Sequence, residues 1–558
     1  MCGIFFYASS QPIHGKDKKR AEKMFKQIQH RGPDASKVRY YKDNIMFGFH
    51  RLAIVDPTGE GMQPFEDGRY TCIVNGEIYN HKELKEKYDL ETYSHSDCEV
   101  VLALFKQIEN KEGKSETVWY DKLTQLCYLL DGEYAFIIYD SKKDIVYYGV
   151  DELRTRPLFL GTDNNGIYLA SEQKALVGCN FVSPISSGHV GYFTTKLIDE
   201  EFKFDKYSYF NFELPVTFKY SDDLVNMATT RLRQLLTDNV VNKLNPEREY
   251  GFLLSGGLDS SLICGIAAAH LYPQRIRTFT VGFDPNASDV LAAAEVAKHI
   301  DSIHTTFIFS FQYGLDVLPE VIRITETWDQ TSIRASVPMY LLLRAIKNKH
   351  PEMAVIFSGE QSDELFMGYM ENKNSPSLEA SRELMIQRLR DIYMFDGLRA
   401  DRVVSSVGCE LRLPFFSKQL LNFVMQLHPE YLSPTTNNNI EKFLLRKAFD
   451  EMDIIPQSIL WRTKNAFSDA TSIIGKNSWK EFLKTHAEKE ITDSRFEARQ
   501  SLYPNEKTPQ TKEDMLYREI FDRFEYEASC VAYKWLPAFS PELTDASATE
   551  LSVFTTNY

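Results

Sequence analysis

"LLSGGLDSS", residues Leu253–Ser261, decides the fold of the larger part of this chain. A short apolar run, "YGFLLS" (250–255), delivers the backbone to Ser255-Gly256-Gly257, and a helical run, "SSLICGIAAAHL" (260–271), carries it away. Glycines let backbone N–H groups close on an anion, and a helix N-terminus adds the positive end of its dipole. The plain alternative is a tight turn, but S-G-G-x-D-S-S behind a strand is far more specific than a lone glycine pair. The loop is read as a phosphate cradle. No G-K-[ST] follows, so it is not a Walker loop.

Working outward, "IRTFTVGF" (276–283), "ASDVLAAAEVAKHI" (287–300), "IHTTFIFS" (303–310) and "EMAVIFSG" (352–359) alternate strand and helix. That alternation predicts a doubly wound parallel sheet. Just upstream, Ser221 is the expected N-cap of a long amphipathic helix over 221–244. Before about residue 200 the rhythm changes to short β-branched and aromatic runs, such as "MFGFHRLAIVD" (46–56), "YTCIVNGEIY" (70–79) and "EYAFIIYD" (133–140). With helices expected over 18–30 and 98–108, this half reads as layered α and β, not as a Rossmann unit. The organisation expected is therefore an α+β domain over 2–205, an α/β domain over 220–540, a packed aromatic connector over 201–220 and a disordered Ser/Thr-rich tail over 541–558.

A chain of 558 residues exceeds one core. Its net charge of −14 argues against nucleic-acid or acidic-membrane partners, which need a basic face. There is no apolar run of about 18 residues and no charged-then-apolar leader, so a cytoplasmic protein is expected. The eight cysteines show no C-x-x-C pairing and the twelve histidines no H-E-x-x-H, which points to free thiols and no structural transition metal.

"FSGEQSDELFMGY" (357–369) places Glu360, Asp363 and Glu364 just past a strand end, where such sheets bind ligands. Carboxylates beside a triphosphate suit Mg²⁺. Taken alone the stretch is a solvated acidic loop; beside the phosphate loop it reads as a metal site. "WDQTSIRASVPMY" (328–340) and "WRTKNAFSD" (461–469) add Arg334 and Lys464 as candidate clamps for a carboxylate and a leaving pyrophosphate.

At the other end stands "MCGIF" (1–5). Removing Met1 would give Cys2 a free α-amine, so that nucleophile and base share one residue. "NGEIYNH" (75–81) offers the Asn75 side chain and Gly76 backbone as oxyanion donors. Arg51 suits a substrate carboxylate, and Glu77 with Asp97 suits an ammonium. Singly these are a turn and surface charges; together with Cys2 they read as an amide-cleaving site.

"MCGIF", "RGPD" (31–34), "HRLAIVD" (50–56), "NGEIYNH" and "SDCE" (96–99) resemble the class II glutamine amidotransferases, whose domain is an N-terminal-nucleophile αββα sandwich. Joined to "SGGLDSS", an ATP pyrophosphatase loop, and to "SIRASVPMY", "SGEQSDE" and "RADR" (399–402), the pattern over residues 2–535 resembles the glutamine-hydrolysing asparagine synthetase family. The resemblance implies synthesis of L-asparagine from L-aspartate and ATP with ammonia from L-glutamine, through β-aspartyl-AMP, leaving glutamate, AMP and pyrophosphate. Cys2 would be the nucleophile and Asn75 with Gly76 the oxyanion hole; Arg51, the Leu52-Ala53-Ile54-Val55 backbone, Asn75, Gly76, Glu77 and Asp97 would bind glutamine. ATP would meet Leu254, Ser255, Gly256, Gly257, Asp259, Ser260, Val281, Ser358 and Gly359, with Lys464 on pyrophosphate. Asp259 and Asp363 would ligate Mg²⁺, Glu360 would serve the adenylate, and Thr331 and Arg334 the aspartate site. A homodimer and an internal ammonia tunnel are also implied. The alternative is the same fold acting on another carboxylate acceptor. Three positions depart from the family pattern: Gln361 for glycine, Ser417 for aspartate and Cys409 for leucine. A side chain at 361 would crowd the adenylate or change the backbone.

Overall fold

The computed structural model describes residues 1–111, 119–195, 204–244, 247–463, 471–473, 477–503, 508–531 and 533–553. Lys464 lies outside the described residues.

The N-terminal run that opens the chain is a strand, Gly3–Ser9, and its alternation sets the layering. Ile4, Phe6 and Ala8 enter one core with Phe47, Phe49, Ile73 and Ile137, between two antiparallel sheets. Phe5 and Tyr7 face the opposite way, onto Ala21, Met24 and Phe25 of the helix Gly15–Lys26. Among the described residues the first sheet runs Phe181–Pro184, Phe159–Asp163, Gly166–Ala170, Gly3–Ser9, Ile45–Arg51, Ala35–Tyr41. The second runs Phe204–Ser208, His189–Thr194, Ile145–Val150, Gly132–Asp140, Tyr70–Ile78, Phe65–Asp67. The outer face of the second sheet, with Val74, Phe136 and Ile138, is covered by Leu102 and Phe105 of the helix Glu99–Lys111 and Leu123 and Leu126 of Trp119–Leu129. Helix, sheet, sheet and helix make the expected αββα sandwich. The strand Phe204–Ser208 carries its second sheet to Ser208, past residue 205.

The second unit holds a parallel sheet in the order Ile303–Ile308, Arg277–Gly282, Tyr250–Leu253, Val355–Phe357, Glu410–Arg412. Its central strands are short continuous apolar runs because both faces are covered. From Tyr250–Leu253 the chain first builds outward to one side, then returns to place Val355–Phe357 on the other. That reversal is the topological switch point, and it opens a crevice at the strands' carboxyl ends. Both motif loops, Ser255–Ser261 and Ser358–Glu364, leave strands flanking this crevice.

Over residues 541–553 the tail differs from the disorder expected, and residues 554–558 lie outside the described residues. Residues 541–553 are described and packed: Asp545, Ala546, Ser547 and Leu551 are buried, and Asp545 pairs with Arg334 and Lys484 while Glu550 pairs with Lys480. Composition pointed to disorder because Ser and Thr dominate; two carboxylates placed opposite buried cations overrule it.

Buried charge joins the two units. Arg31 of "RGPD" donates to Glu172 at 2.6 Å and to Asp401 of "RADR" at 2.8 and 2.9 Å. Arg156 reaches the Leu411 carbonyl at 2.8 Å, and Lys243 reaches Glu133 at 2.8 Å. No helix among the described residues is long and apolar enough to cross a membrane.

Candidate active site

Cys2 sits at the mouth of the strand Gly3–Ser9, with its Sγ 3.4 Å from the donating Leu52 N–H. Its carbonyl accepts from Arg31 Nε at 3.0 Å, so the cysteine backbone is pinned by the cation that also holds Asp401. Burial pushes the Cys2 thiol up, which leaves it needing a base close by. In the chain bearing Met1 the terminal ammonium donates to the Cys409 carbonyl at 3.3 Å and burial lowers it to about 6, so that amine belongs to the interface and not to the Cys2 sulfur.

"RGPD", quoted above only for its resemblance, has a physical role. Gly32 is required because a Cβ there would lie 2.2 Å from the His50 carbonyl, and Asp34 accepts from the Ala53 N–H at 2.9 Å, fixing the Leu52–Val55 backbone. Arg51 is buried and donates to the carbonyls of Asp56 and Thr58. The strand Tyr70–Ile78 places Asn75 fully inside, and among the described residues neither Oδ1 nor Nδ2 has a hydrogen-bond partner. A buried carboxamide without partners is costly, of order 1–3 kcal/mol, and is the expected state of an oxyanion donor before its substrate arrives. Gly76 next to it is forced by the neighbouring strand: a Cβ would stand 2.5 Å from the Glu133 carbonyl. Glu77 accepts from Arg412 at 2.9 Å, and Asp97 accepts from the Ile78 N–H at 2.7 Å. Burial, followed by Asp97, holds Glu77 well above its ordinary range; burial lifts Asp97 to about 6. Two carboxyl groups so placed favour a cation between them.

In the switch-point crevice the structure brings together Leu254, Ser255, Gly257, Asp259, Ser260, Val281, Ser358, Gly359, Glu360 and Asp363 along one pocket wall. Gly256 turns the chain at φ 77°, where a Cβ would lie 2.5 Å from Ala293 N, and its carbonyl accepts from Arg462 at 3.1 Å. Gly359 lets the two motif loops touch, since a Cβ would meet Ser260 N at 2.7 Å. Glu360 accepts from Arg399 at 2.8 Å. Glu364 turns away and accepts from Tyr369 at 2.7 Å, burial raising it to about 8.

Thr331 and Arg334 are not among the residues lining that pocket. Arg334 is buried and saturated by Glu513, at 2.7 and 2.8 Å, and by Asp545, at 2.7 and 3.0 Å. The pocket's cations are instead Arg399, Lys442, Arg446 and Arg462, none of which the sequence reading singled out. A lone Lys or Arg gives no signal; only "RADR" and the start of "WRTKNAFSD" carried any hint of two of them.

The three departures have local explanations. Gln361 adopts the left-handed conformation at φ 77°, which glycine takes freely and an L side chain takes only with strain; it is buried, with Oε1 unpartnered among the described residues. Ser417 caps the helix Lys418–Met425 by accepting from the Leu420 N–H at 3.2 Å, work that an aspartate also does. Cys409 is buried with its Sγ on the Met353 carbonyl.

Comparison with known proteins agrees. The chain matches the glutamine amidotransferase domain family over residues 1–206 and the asparagine synthase family over 231–381 and 370–536. It is 36% identical to human asparagine synthetase (glutamine-hydrolyzing) and 35% identical to the Pongo abelii protein of that name, each over 99% of both chains. A probable asparagine synthetase from Dictyostelium discoideum is 34% identical over 97% of both. A solved Bacillus subtilis glutamine phosphoribosylpyrophosphate amidotransferase aligns with 55% of this chain and 65% of its own at 16% identity and a TM-score of 0.30, too slight a likeness to bear on the fold. With both family models matched and the relatives covered from end to end, the chain belongs to the glutamine-hydrolysing asparagine synthetase family.

Proposed function

We propose that this protein makes L-asparagine from L-aspartate, with L-glutamine as nitrogen donor and ATP as activator. Once Met1 is removed, the Cys2 amine takes the thiol proton and the sulfur attacks the glutamine side-chain amide. Asn75 Nδ2 and the Gly76 N–H hold the oxyanion, Glu77 and Asp97 the substrate ammonium, and Arg51 its carboxylate. Collapse of the tetrahedral adduct, with the proton returned from the amine to the leaving nitrogen, expels ammonia and leaves a thioester; water then hydrolyses the thioester to glutamate and the free thiol, while the ammonia crosses inside the protein to the second site. There the glycine loop 255–257 and the N-terminus of the helix Leu258–Leu271 cradle ATP, aspartate attacks the α-phosphorus through its side-chain carboxylate, and pyrophosphate leaves. Ammonia then displaces AMP, with Glu360 placed to receive its proton.

Asp259 and Asp363 fit a divalent cation, because both point at one common cation, the Lys442 ammonium. Mg²⁺ bound there would neutralise phosphate charge as pyrophosphate leaves. A cytoplasmic location and a homodimer belong to the same proposal.

The observation that carries the two-site reading is Arg412. Its guanidinium holds Glu77 of the glutamine site at 2.9 Å, while its carbonyl accepts from Ser358 N–H of the ATP loop at 3.1 Å. One residue thus touches both sites. The test is amino-acid analysis and phosphorus NMR of a reaction with glutamine, aspartate and MgATP. Asparagine, glutamate, AMP and pyrophosphate are expected; another amide product, or ADP with orthophosphate, overturns the proposal.

A further inference from the structure

The phosphate loop has no lysine of its own, yet a lysine lies against it. Lys442, 183 residues further along the chain, donates to Asp259 Oδ1 at 2.7 Å and Oδ2 at 2.6 Å, and its Nζ is 2.7 Å from Asp363 Oδ1. Two features show that the fold is built to hold it there. Lys442 sits in the left-handed region at φ 57°, immediately before the helix Phe443–Phe449, and is 2% exposed. Gly368 leaves the channel for its stem, since a Cβ at 368 would stand 2.1 Å from Lys442 Cε and 2.4 Å from Asp363 Oδ1. Among the described residues the other groups facing this cluster include Ser362, which donates to Asp259 at 2.7 Å, the Arg446 guanidinium, which pairs with Glu441, and Glu364 with Tyr369 on the Asp363 side.

Lys442 therefore stands on the oxygens that the metal would use. Mg²⁺ requires oxygens at about 2.1 Å in an octahedron, and it cannot share both carboxylates with an ammonium already in contact with them. No group of three or more metal-binding side chains occurs among the described residues, so the protein alone offers too few ligands to displace that ammonium. A triphosphate changes the balance. It adds oxygens for the metal and a second anion for the lysine.

The geometry points to Lys442 as an internal counter-ion that bars free divalent cations from Asp259 and Asp363, so that metal enters only with the nucleotide, whereupon the ammonium passes to a phosphate oxygen. This rests on the nucleotide reading above. It also makes the coupling reciprocal: the metal raises nucleotide affinity by the factor by which nucleotide raises metal affinity.

The test titrates Mn²⁺ into the full-length protein and reads free Mn²⁺ by room-temperature electron paramagnetic resonance, with and without ATP. Wild type is expected to take up Mn²⁺ only with ATP. Lys442→Met and Lys442→Gln, their folding checked by circular dichroism, are expected to bind Mn²⁺ without nucleotide about tenfold or more tightly than wild type does. Nucleotide-free uptake by wild type at one site, as tight as in the variants, overturns the counter-ion and leaves the nucleotide site standing. Folded variants that gain no nucleotide-free uptake overturn it too. Failure of wild type to take up Mn²⁺ with ATP overturns the nucleotide reading and the counter-ion together. Should neither variant fold, the wild-type titration decides alone.

Discussion

The glutamine site and the ATP site handle polarity in opposite ways. The first keeps part of its polarity waiting: Asn75 is buried with nothing to bond among the described residues, and burial pushes Glu77 and Asp97 upward even with Arg412 on Glu77. The second keeps its charges quenched: Lys442 lies between Asp259 and Asp363, and Arg399 lies on Glu360. The difference follows the substrates proposed. A small zwitterion carries too little charge to rearrange a site, so the site is built open and bears that cost in the free protein. A triphosphate carries enough charge to break ion pairs, so its site rests in a neutralised state.

The harshest way to break this comparison is to remove chemistry from one site only. Cys2→Ala should lower glutamine-driven synthesis on the order of 10⁴-fold or more while synthesis from ammonium salts continues. Glu360→Ala should stop synthesis from either nitrogen source while glutamine hydrolysis persists. Equal loss of both reactions in folded Cys2→Ala, read by product analysis, would show that the sites do not divide the work.

Next come two variants of comparable energy and contrasting kind. Asp545→Ala leaves Arg334 with one of its two carboxylates and should cost about 3 kcal/mol, seen as a lower melting temperature for the second unit. Asn75→Ala should cut glutamine turnover about 10²–10³-fold yet leave stability unchanged or higher, because the amide it removes makes no bond in the free protein. A marked fall in its melting temperature would mean that Asn75 is structural after all.

A smaller effect sharpens the first site. Asp97 moves from 3.8 to about 6 on folding, so the folded free protein binds more protons than the unfolded one. Its stability should fall as pH rises from about 4 to about 6. Below about 6 the protonated Asp97 no longer attracts an ammonium, so the KM for glutamine should climb up to about tenfold per pH unit. A KM flat from pH 7 to 5 would remove Asp97 from the ammonium site. The smallest effect is Gln361→Gly, expected to stabilise the protein by about 1 kcal/mol in denaturant titration by relieving the left-handed conformation. No gain would mean that the side chain's packing offsets the strain.

Much of this was legible in the residues. A continuous apolar run, Ile4 to Tyr7, marked the strand behind Cys2, and strand–glycine–helix marked the crevice, because both depend on neighbours in the chain. Cys2, Asn75, Asp97, Asp259 and Glu360 stood in short motifs whose spacing is itself the geometry. Arg334's surroundings were not legible: the sequence offered it as a substrate clamp, and only the fold shows that Glu513 and Asp545 pair with it in the free protein. The packing of residues 541–553 was not legible because Ser/Thr composition says nothing of what lies opposite Asp545 or Glu550.

By itself the sequence determined the two fold classes and their order, and it named the candidate nucleophile and the candidate anion loop, since each is written in contiguous residues whose local conformation suffices to state it. Tertiary structure alone decided which cations line the crevice, that Lys442 rests on Asp259 and Asp363, that Arg31 joins the two units and that Arg412 touches both sites. The physical reason is distance along the chain. An ion pair between residues 442 and 259, or 412 and 77, leaves no periodicity and no local propensity to read, and it exists only once burial has removed water from both partners.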